Sequence, residues 1–261
     1  MLAVKRQQII LEYLDTHKAA TTKLLSELTG ASLATLRRDL NHMAQQGLLK
    51  KTHGGAQAVP IETDPPKHDC PSLDYDPYLS FKNALAKKAA DLIVSGDIIF
   101  IGAGMTCNLL CRYINENHPE KLTVVTTNVT AVTELARNPN ISTLLLGGNI
   151  HTGTNHIETL DEYTVQSLEQ LYLDKVFITV DGIDLTYGYS IINRAQLPLY
   201  NHLLRNSKEL YLLANEGKFD KRTFTHFCDL KDIRNVITNP SIQPNYLDYY
   251  REQGIHVIVT D

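Results

Sequence analysis

The sequence predicts an α/β protein in two parts: a small helical head closed by a basic strand, and a larger domain built on a largely parallel sheet. Three observations predict this. Residues 1–59 read as short amphipathic helices and one strand, with eight Lys/Arg against four acids, a net +4. Residues 60–77 hold five of the ten prolines. From Phe81 onward, short apolar strands alternate with helical stretches and glycine-bearing turns, the pattern of a sheet covered on both faces. The chain beyond residue 59 carries 17 basic and 25 acidic residues, a net −8. The overall charge of −4 therefore hides a basic head on an acidic body, which fits a polyanion-binding module joined to something else.

The head is read in order as follows. Ile9, Ile10, Tyr13 and Leu14 lie at helical spacing in a first helix over 4–14. Thr21-Thr22 caps a short second helix that should bury Leu24, Leu25 and Leu28, and Gly30 ends it. After a tight turn, Ser32 stands at an N-cap position and a third helix runs to Gln45. Leu36, Leu40 and Met43 fall on one stripe, with Leu33 at its edge; Ala34, Arg37, Arg38, Asn41 and Gln45 fall opposite. On its own such a helix is an ordinary amphipathic helix with a solvated face. Its neighbours change the reading. Two helices joined by a three- to four-residue turn are the helix-turn-helix layout, in which arginines meet phosphates or guanine edges and amides read adenine. Residues 48–53 read as a strand carrying Lys50 and Lys51, one arm of a basic hairpin placed to follow phosphates as a wing.

The run Gly30-Ala31-Ser32, Thr35-Leu36-Arg37-Arg38-Asp39-Leu40, Gln46-Gly47-Leu48-Leu49 and His53-Gly54-Gly55-Ala56 closely resembles the N-terminal domain of the DeoR family, bacterial winged-helix repressors of sugar catabolism. The resemblance implies a winged helix-turn-helix over 1–58 that contacts double-stranded operator DNA through Ser32, Ala34, Thr35, Arg37, Arg38, Asn41, Lys50, Lys51 and His53. Residues 59–80 are expected to form a Pro-rich linker, semi-rigid near Pro65-Pro66.

In residues 81–261 we expect a helix over 84–94 and strands at 98–101, 122–126, 143–146, 176–180, 210–214, 236–238 and 256–259. Ligands of such sheets bind beyond the carboxyl ends of the strands. The motifs falling there are Gly102-Ala103-Gly104-Met105-Thr106, Thr127-Asn128, Gly147-Gly148-Asn149, Asp181-Gly182-Ile183-Asp184 and Lys218-Phe219. The first is either a tight strand–helix turn or a cradle of bare amides for a phosphate; it lacks the third glycine of a dinucleotide fingerprint and the lysine of a Walker loop. Asp181 and Asp184 are acceptors for ligand hydroxyls or caps of turns. An anion cradle, polar groups and one lysine together describe a phosphorylated polyol or sugar.

The order of these motifs, preceded by Ser95-Gly96-Asp97, is also similar to the C-terminal sensor domain of DeoR proteins. That resemblance implies a ribose-5-phosphate isomerase-like fold that binds a phosphorylated sugar through Gly102, Gly104, Met105, Thr106, Thr127, Asn128, Gly147, Gly148, Asp181, Asp184 and Lys218, and is released from DNA by it. It also implies a homo-oligomer, dimer or tetramer. The sequence departs from the family where Gly102, Asn215 and Gly217 stand, and in reading Arg194-Ala195 after the Gly-Ile-Asp motif.

The rival reading is a sugar-phosphate isomerase fused to a DNA-binding head. Such chemistry needs a positioned carboxylate base, and residues 185–208 contain no Asp or Glu. We therefore expect no catalytic residue. The four cysteines form no C-x-x-C pair, and His151 and His156 are four times better read as a polar loop than as a metal pair, so neither metal nor cofactor is expected. Tyr246, Tyr249 and Tyr250 read as packing or subunit contact. No apolar run approaches the roughly 20 residues that span a bilayer, which leads us to expect a cytoplasmic protein without membrane contact.

Overall fold

A computed structural model describes residues 3–17, 19–45, 49–52, 54–58, 76–117, 120–153 and 156–260. The chain forms two compact units, residues 1–68 and 69–261. Of the expected linker at 59–80, residues 59–75 lie outside the described residues, as does His53, and α4 begins inside its last two positions.

The first unit contains α1 (Ala3–His17), β1 (Ala19–Thr21), α2 (Thr22–Thr29), α3 (Leu33–Gln45), β2 (Leu49–Thr52) and β3 (Gly55–Ala58). Thr21 caps α2 by accepting the Leu24 amide, and Gly30 ends it at φ 63°, a left-handed conformation that costs glycine nothing. Ile10, Leu14, Leu25, Leu36, Leu40, Met43, Leu49 and Ala56 form its core. Asp39 is buried beside them and accepts a hydrogen bond from Arg6 Nε at 2.8 Å, pinning α3 to α1.

One expectation for this unit is corrected. Leu28 is 42% exposed, and α2 instead buries Leu25 with Thr29, one turn further on. Thr29 tolerates burial because its hydroxyl donates to the Leu25 carbonyl at 2.7 Å. The wing is a three-stranded antiparallel sheet in the order β1-β3-β2, the expected basic hairpin widened by β1. Its middle strand begins at Gly55, where an added Cβ would stand 2.0 Å from the Ala20 carbonyl oxygen. Only a hydrogen fits between β1 and β3 there.

The second unit runs through α4 (Leu79–Ala90), β4 (Ile98–Ile101), α5 (Met105–Asn117), β5 (Leu122–Thr126), α6 (Val129–Leu135), β6 (Ile141–Leu145), β7 (Ile150–Thr152), β8 (Ile157–Thr159), α7 (Glu162–Leu168), β9 (Leu173–Ile178), β10 (Gly182–Asp184), β11 (Gly188–Ile191), α8 (Leu197–Asn206), β12 (Ser207–Leu213), β13 (Thr225–Cys228), β14 (Asn235–Thr238), α9 (Pro244–Glu252) and β15 (His256–Val259). Seven strands form a parallel sheet in the order β15-β14-β12-β9-β4-β5-β6. Alternation along β4 splits the core in two: Ile99 and Ile101 pack with Leu85, Leu110 and Leu135, while Phe100 packs with Leu168, Leu199 and Tyr246. Helices therefore cover both faces, as expected.

The chain builds β4, β5 and β6 outward in one direction, then returns to place β9 on the other side of β4. The seam between β4 and β9 is thus the point where strand order reverses. Parallel α/β sheets open a crevice at this point, because the loops leaving the two strands diverge. Two small additions frame it, the β7–β8 hairpin and the β10-β11-β13 sheet, neither of which the sequence reading anticipated.

Candidate functional site

In the first unit the outward face of α3 carries Ser32, Ala34, Arg37, Arg38 and Asn41, all exposed, with Thr35 half-buried. Ser32 Oγ accepts the Thr35 amide at 3.3 Å, so it caps the helix while staying at the surface. Lys50 and Lys51 are exposed on β2, and Lys51 Nζ donates to Asn41 Oδ1 at 2.6 Å. The wing strand and the helix thereby share one polar, cationic face. Asn41 keeps its amide donors for a partner because the lysine takes only its oxygen.

The second unit holds a cavity of about 630 Å³ above the β4–β9 seam. The loop after β4 contributes Ala103, Gly104, Met105 and Thr106; that after β9 contributes Thr179 and Asp181; that after β12 contributes Asn215 and Lys218. Gly104 has φ 127°, and its carbonyl accepts the Asn108 amide, opening α5. Met105 and Thr106 of the first turn of α5, whose amides have no partner within the helix, thus line the cavity. Lys218 stands beside them, its Nζ 3.5 Å from Asp181 Oδ1. Burial pulls the Lys218 ammonium below its usual lysine value, partly offset by Asp181. Asp181 also accepts the Ile192 amide at 2.8 Å, which fixes its orientation.

A second group of polar side chains completes the wall. Glu158 of β8 is 2% exposed and accepts from Gln196 Nε2 at 2.9 Å and Asn193 Nδ2 at 3.4 Å, with His156 Nε2 at 3.5 Å. His151 Nε2 lies 3.2 Å from the Leu160 carbonyl oxygen. Tyr200 donates to the Thr179 carbonyl at 3.1 Å, and Lys82 of α4 reaches the rim. The histidines belong to the β7–β8 hairpin, and no His/Cys/Asp/Glu group suited to a metal ion occurs among the described residues. Glu158, Asn193 and Gln196 escaped sequence reasoning because a three-residue hairpin strand and a short turn at 194–196 carry no periodic signal, and Lys82 fell two residues before the expected helix start. His151, after Gly147-Gly148, stands at the cleft, the alternative its position offers to a polar loop.

Of the eleven residues assigned to ligand binding, Gly104, Met105, Thr106, Asp181 and Lys218 line the cavity. Six do not: Gly102, Thr127, Asn128, Gly147, Gly148 and Asp184. Gly102 lies beneath the floor, donating to the Phe177 carbonyl and accepting from Asn128 Nδ2. Asn128 is fully buried and spends its groups capping α6 and bonding Asn108, while the Thr127 carbonyl accepts the Thr159 amide. The Gly147 carbonyl accepts the Thr164 hydroxyl, and an added Cβ on Gly148 would meet that same oxygen at 2.4 Å. Asp184 caps a turn, accepting the Thr186 and Tyr187 amides and pairing with Arg222. Arg222 holds the Asp184 carboxyl well below the usual range.

The departures from the family pattern have local explanations. Asn215 caps the 3₁₀ turn Glu216–Lys218 by accepting the Gly217 amide at 2.9 Å. A Cβ on Gly217 would stand 2.6 Å from the Tyr78 ring, so the tyrosine occupies the space a serine would need. Arg194-Ala195 begins the short turn at 194–196, whose cap is Asn193. Tyr246 and Tyr250 are packing residues; both are buried, and Tyr189 donates to the Tyr250 hydroxyl.

Two family models match the chain: the DeoR-like helix-turn-helix domain over residues 6–61 and the DeoR C-terminal sensor domain over residues 79–240. Among relatives, the HTH-type transcriptional regulator FruR of Bacillus subtilis is 29% identical over 260 residues, covering 99% of each chain. The lactose phosphotransferase system repressor of Staphylococcus epidermidis is 30% identical over 226 residues, 84% of each chain. Among solved structures, ribose 5-phosphate isomerase A of Methanocaldococcus jannaschii overlaps 56% of this chain and 56% of its own, at TM-score 0.39 and 19% identity. With both of its domains matched in order, this chain belongs to the DeoR family of helix-turn-helix transcriptional regulators.

Proposed function

We propose that the chain is a repressor of a carbohydrate-utilisation operon, released from its operator by a phosphorylated sugar held in the β4–β9 cavity. The observation that carries the ligand class is that the first turn of α5 and Lys218 line one and the same half-open cavity. Amides aligned with a helix dipole favour an anion, and the lysine adds a full charge. Glu158, Asn193, Gln196 and Thr179 add acceptors and donors for hydroxyls, beside the apolar Ile192 and Leu213.

Residues 1–58 read DNA, residues 81–261 bind the effector and join subunits, and the Pro-rich stretch between them is the linker. Ser32, Ala34, Thr35, Arg37, Arg38, Asn41, Lys50 and Lys51 contact the operator. One recognition helix reads few base pairs, so a homodimer or a tetramer on paired half-sites supplies the specificity. The chain is a regulator and not an enzyme, in keeping with relatives named as regulators and repressors. Among the described residues no helix is long and apolar enough to cross a membrane.

The test is fluorescence anisotropy of the full chain on DNA from upstream of its own gene, at two salt concentrations, with a panel of phosphorylated and free sugars. Sequence-specific binding reversed by one phosphorylated sugar is the expected result. Reversal by a free sugar alone would overturn the ligand class, and binding without sequence preference would overturn the repressor.

A further inference from the structure

The cavity has a second lysine, and it is already occupied from inside the protein. Lys82 lines the rim from the first turn of α4, and its Nζ meets Asp76 Oδ2 at 2.5 Å. Both side chains are largely buried, at 15% and 17% exposure, so the pair is not an incidental surface contact. Lys82 and Lys218 act on one another electrostatically, and both act on Asp76, which they hold below the usual carboxylate range against the opposing cost of its burial. The Tyr78 ring lies against Gly217, next to Lys218, so the segment carrying Asp76 is seated on the cavity's cationic corner.

Asp76 also organises the entry to α4. Its Oδ1 accepts the Tyr78 amide and its carbonyl accepts the Leu79 amide, each at 3.0 Å. It stands directly after the stretch 59–75 that follows the helix-turn-helix domain. At this corner of the cavity each lysine faces one carboxylate, Lys82 facing Asp76 and Lys218 facing Asp181. A phosphate dianion entering between the lysines adds two negative charges to a corner already balanced. An anion that engages Lys82 does so in place of the partner Lys82 already has, Asp76. Asp181 belongs to the loop leaving the central strand β9, whereas Asp76 precedes the first helix of the unit.

We propose that Lys82 is a second phosphate-binding cation of the cavity, and that a phosphorylated ligand takes it by displacing Asp76. This rests on the cavity being the effector site. Filling the cavity then releases the Tyr78 amide from the Asp76 carboxylate and loosens the point at which the linker joins the sensor domain. Ligand affinity and the order of that junction are coupled reciprocally, because the same lysine serves both anions.

The experiment is calorimetric titration of the full chain with inorganic phosphate and with glucose 6-phosphate, using wild type, K82M, K82R, D76N and K218M. We expect K82M to weaken phosphate binding about fivefold or more, K82R to restore most of it, and D76N, with the internal competitor gone, to strengthen it by a similar factor. Hydrogen exchange at Tyr78 should rise on adding phosphate to wild type and be insensitive to phosphate in D76N. If K218M loses phosphate while K82M and D76N match wild type, this proposal fails and the effector site stands. If neither probe binds any of the folded variants, both fail. D76N is nearly isosteric, so it decides the matter even where K82M does not fold.

Discussion

Arg37 and Arg38 are neighbours in sequence, about 100° apart around α3, and both are exposed beside the cap Ser32. Arg37→Ala should cost roughly 1–3 kcal/mol of operator affinity if its fork meets a base, with relaxed preference at one position. Anisotropy on operator variants checks it, and an unchanged affinity removes Arg37 from the reading face. In the sensor domain, Lys218→Ala should abolish the response to the phosphorylated sugar and leave operator binding intact. Asp184 tests the opposite assignment, a carboxylate that serves the fold. Its folded value is depressed by Arg222, so its contribution to stability is complete above the ordinary carboxylate value near 3.8 and is lost as the pH falls below it. Asp184→Asn should flatten that acid-side loss in a pH series of thermal melts while leaving sugar-responsive release unchanged. The cysteines behave as core: burial pushes the Cys107 thiol up to about 12, and Cys111 and Cys228 are also buried. All three should resist alkylation until the domain unfolds, which mass spectrometry of labelled protein reads directly.

At the scale of elements, what was legible in the sequence depended on whether burial had a period. The strands at 98–101, 122–126 and 256–259 stand where their apolar runs predict, although Thr123, Thr126 and His256 interrupt those runs. Those at 173–178 and 207–213 start three residues earlier than expected, for their opening residues include polar ones; Lys175 pairs with Asp97 at 2.6 Å, and the Ser207 hydroxyl donates to the Leu203 carbonyl. The first helix of the sensor domain begins at Leu79 instead of 84, since its start is set by Asp76 through hydrogen bonds and not by an apolar stripe. The cavity was half legible. Its glycine loop and Lys218 follow strands that the sequence marks, while Glu158 and the histidines arrive on a hairpin that it does not. Asp184 was misplaced because a cap and a ligand-binding carboxylate look alike until their donors are seen. The wing makes the same point for glycine. Gly55→Ala should destabilise the helix-turn-helix domain by about 1–3 kcal/mol through the clash with Ala20, seen as a lowered first transition in calorimetry of the full chain.

For the molecule as a whole, each unit has its own apolar core, and none of the three core clusters mixes residues from the two. A chain lacking residues 1–58 should therefore remain folded and keep its sugar binding, and sedimentation of that fragment shows whether it also keeps the subunit interface. The cavity is different in kind from the reading helix, for it exists only where two halves of the sheet meet. The β4–β9 seam pairs Ile99 with Lys175, residues far apart in the chain, and the Lys218 side of the cavity needs β12 as well. At synthesis rates of roughly 5–20 residues per second, a nascent chain completes its DNA-reading head many seconds before the last wall of the cavity leaves the ribosome. For that interval the newborn chain has a folded head but neither the cavity that hears a sugar nor the partner that would pair its half-sites. A premature stop anywhere ahead of Lys218 would leave both unbuilt.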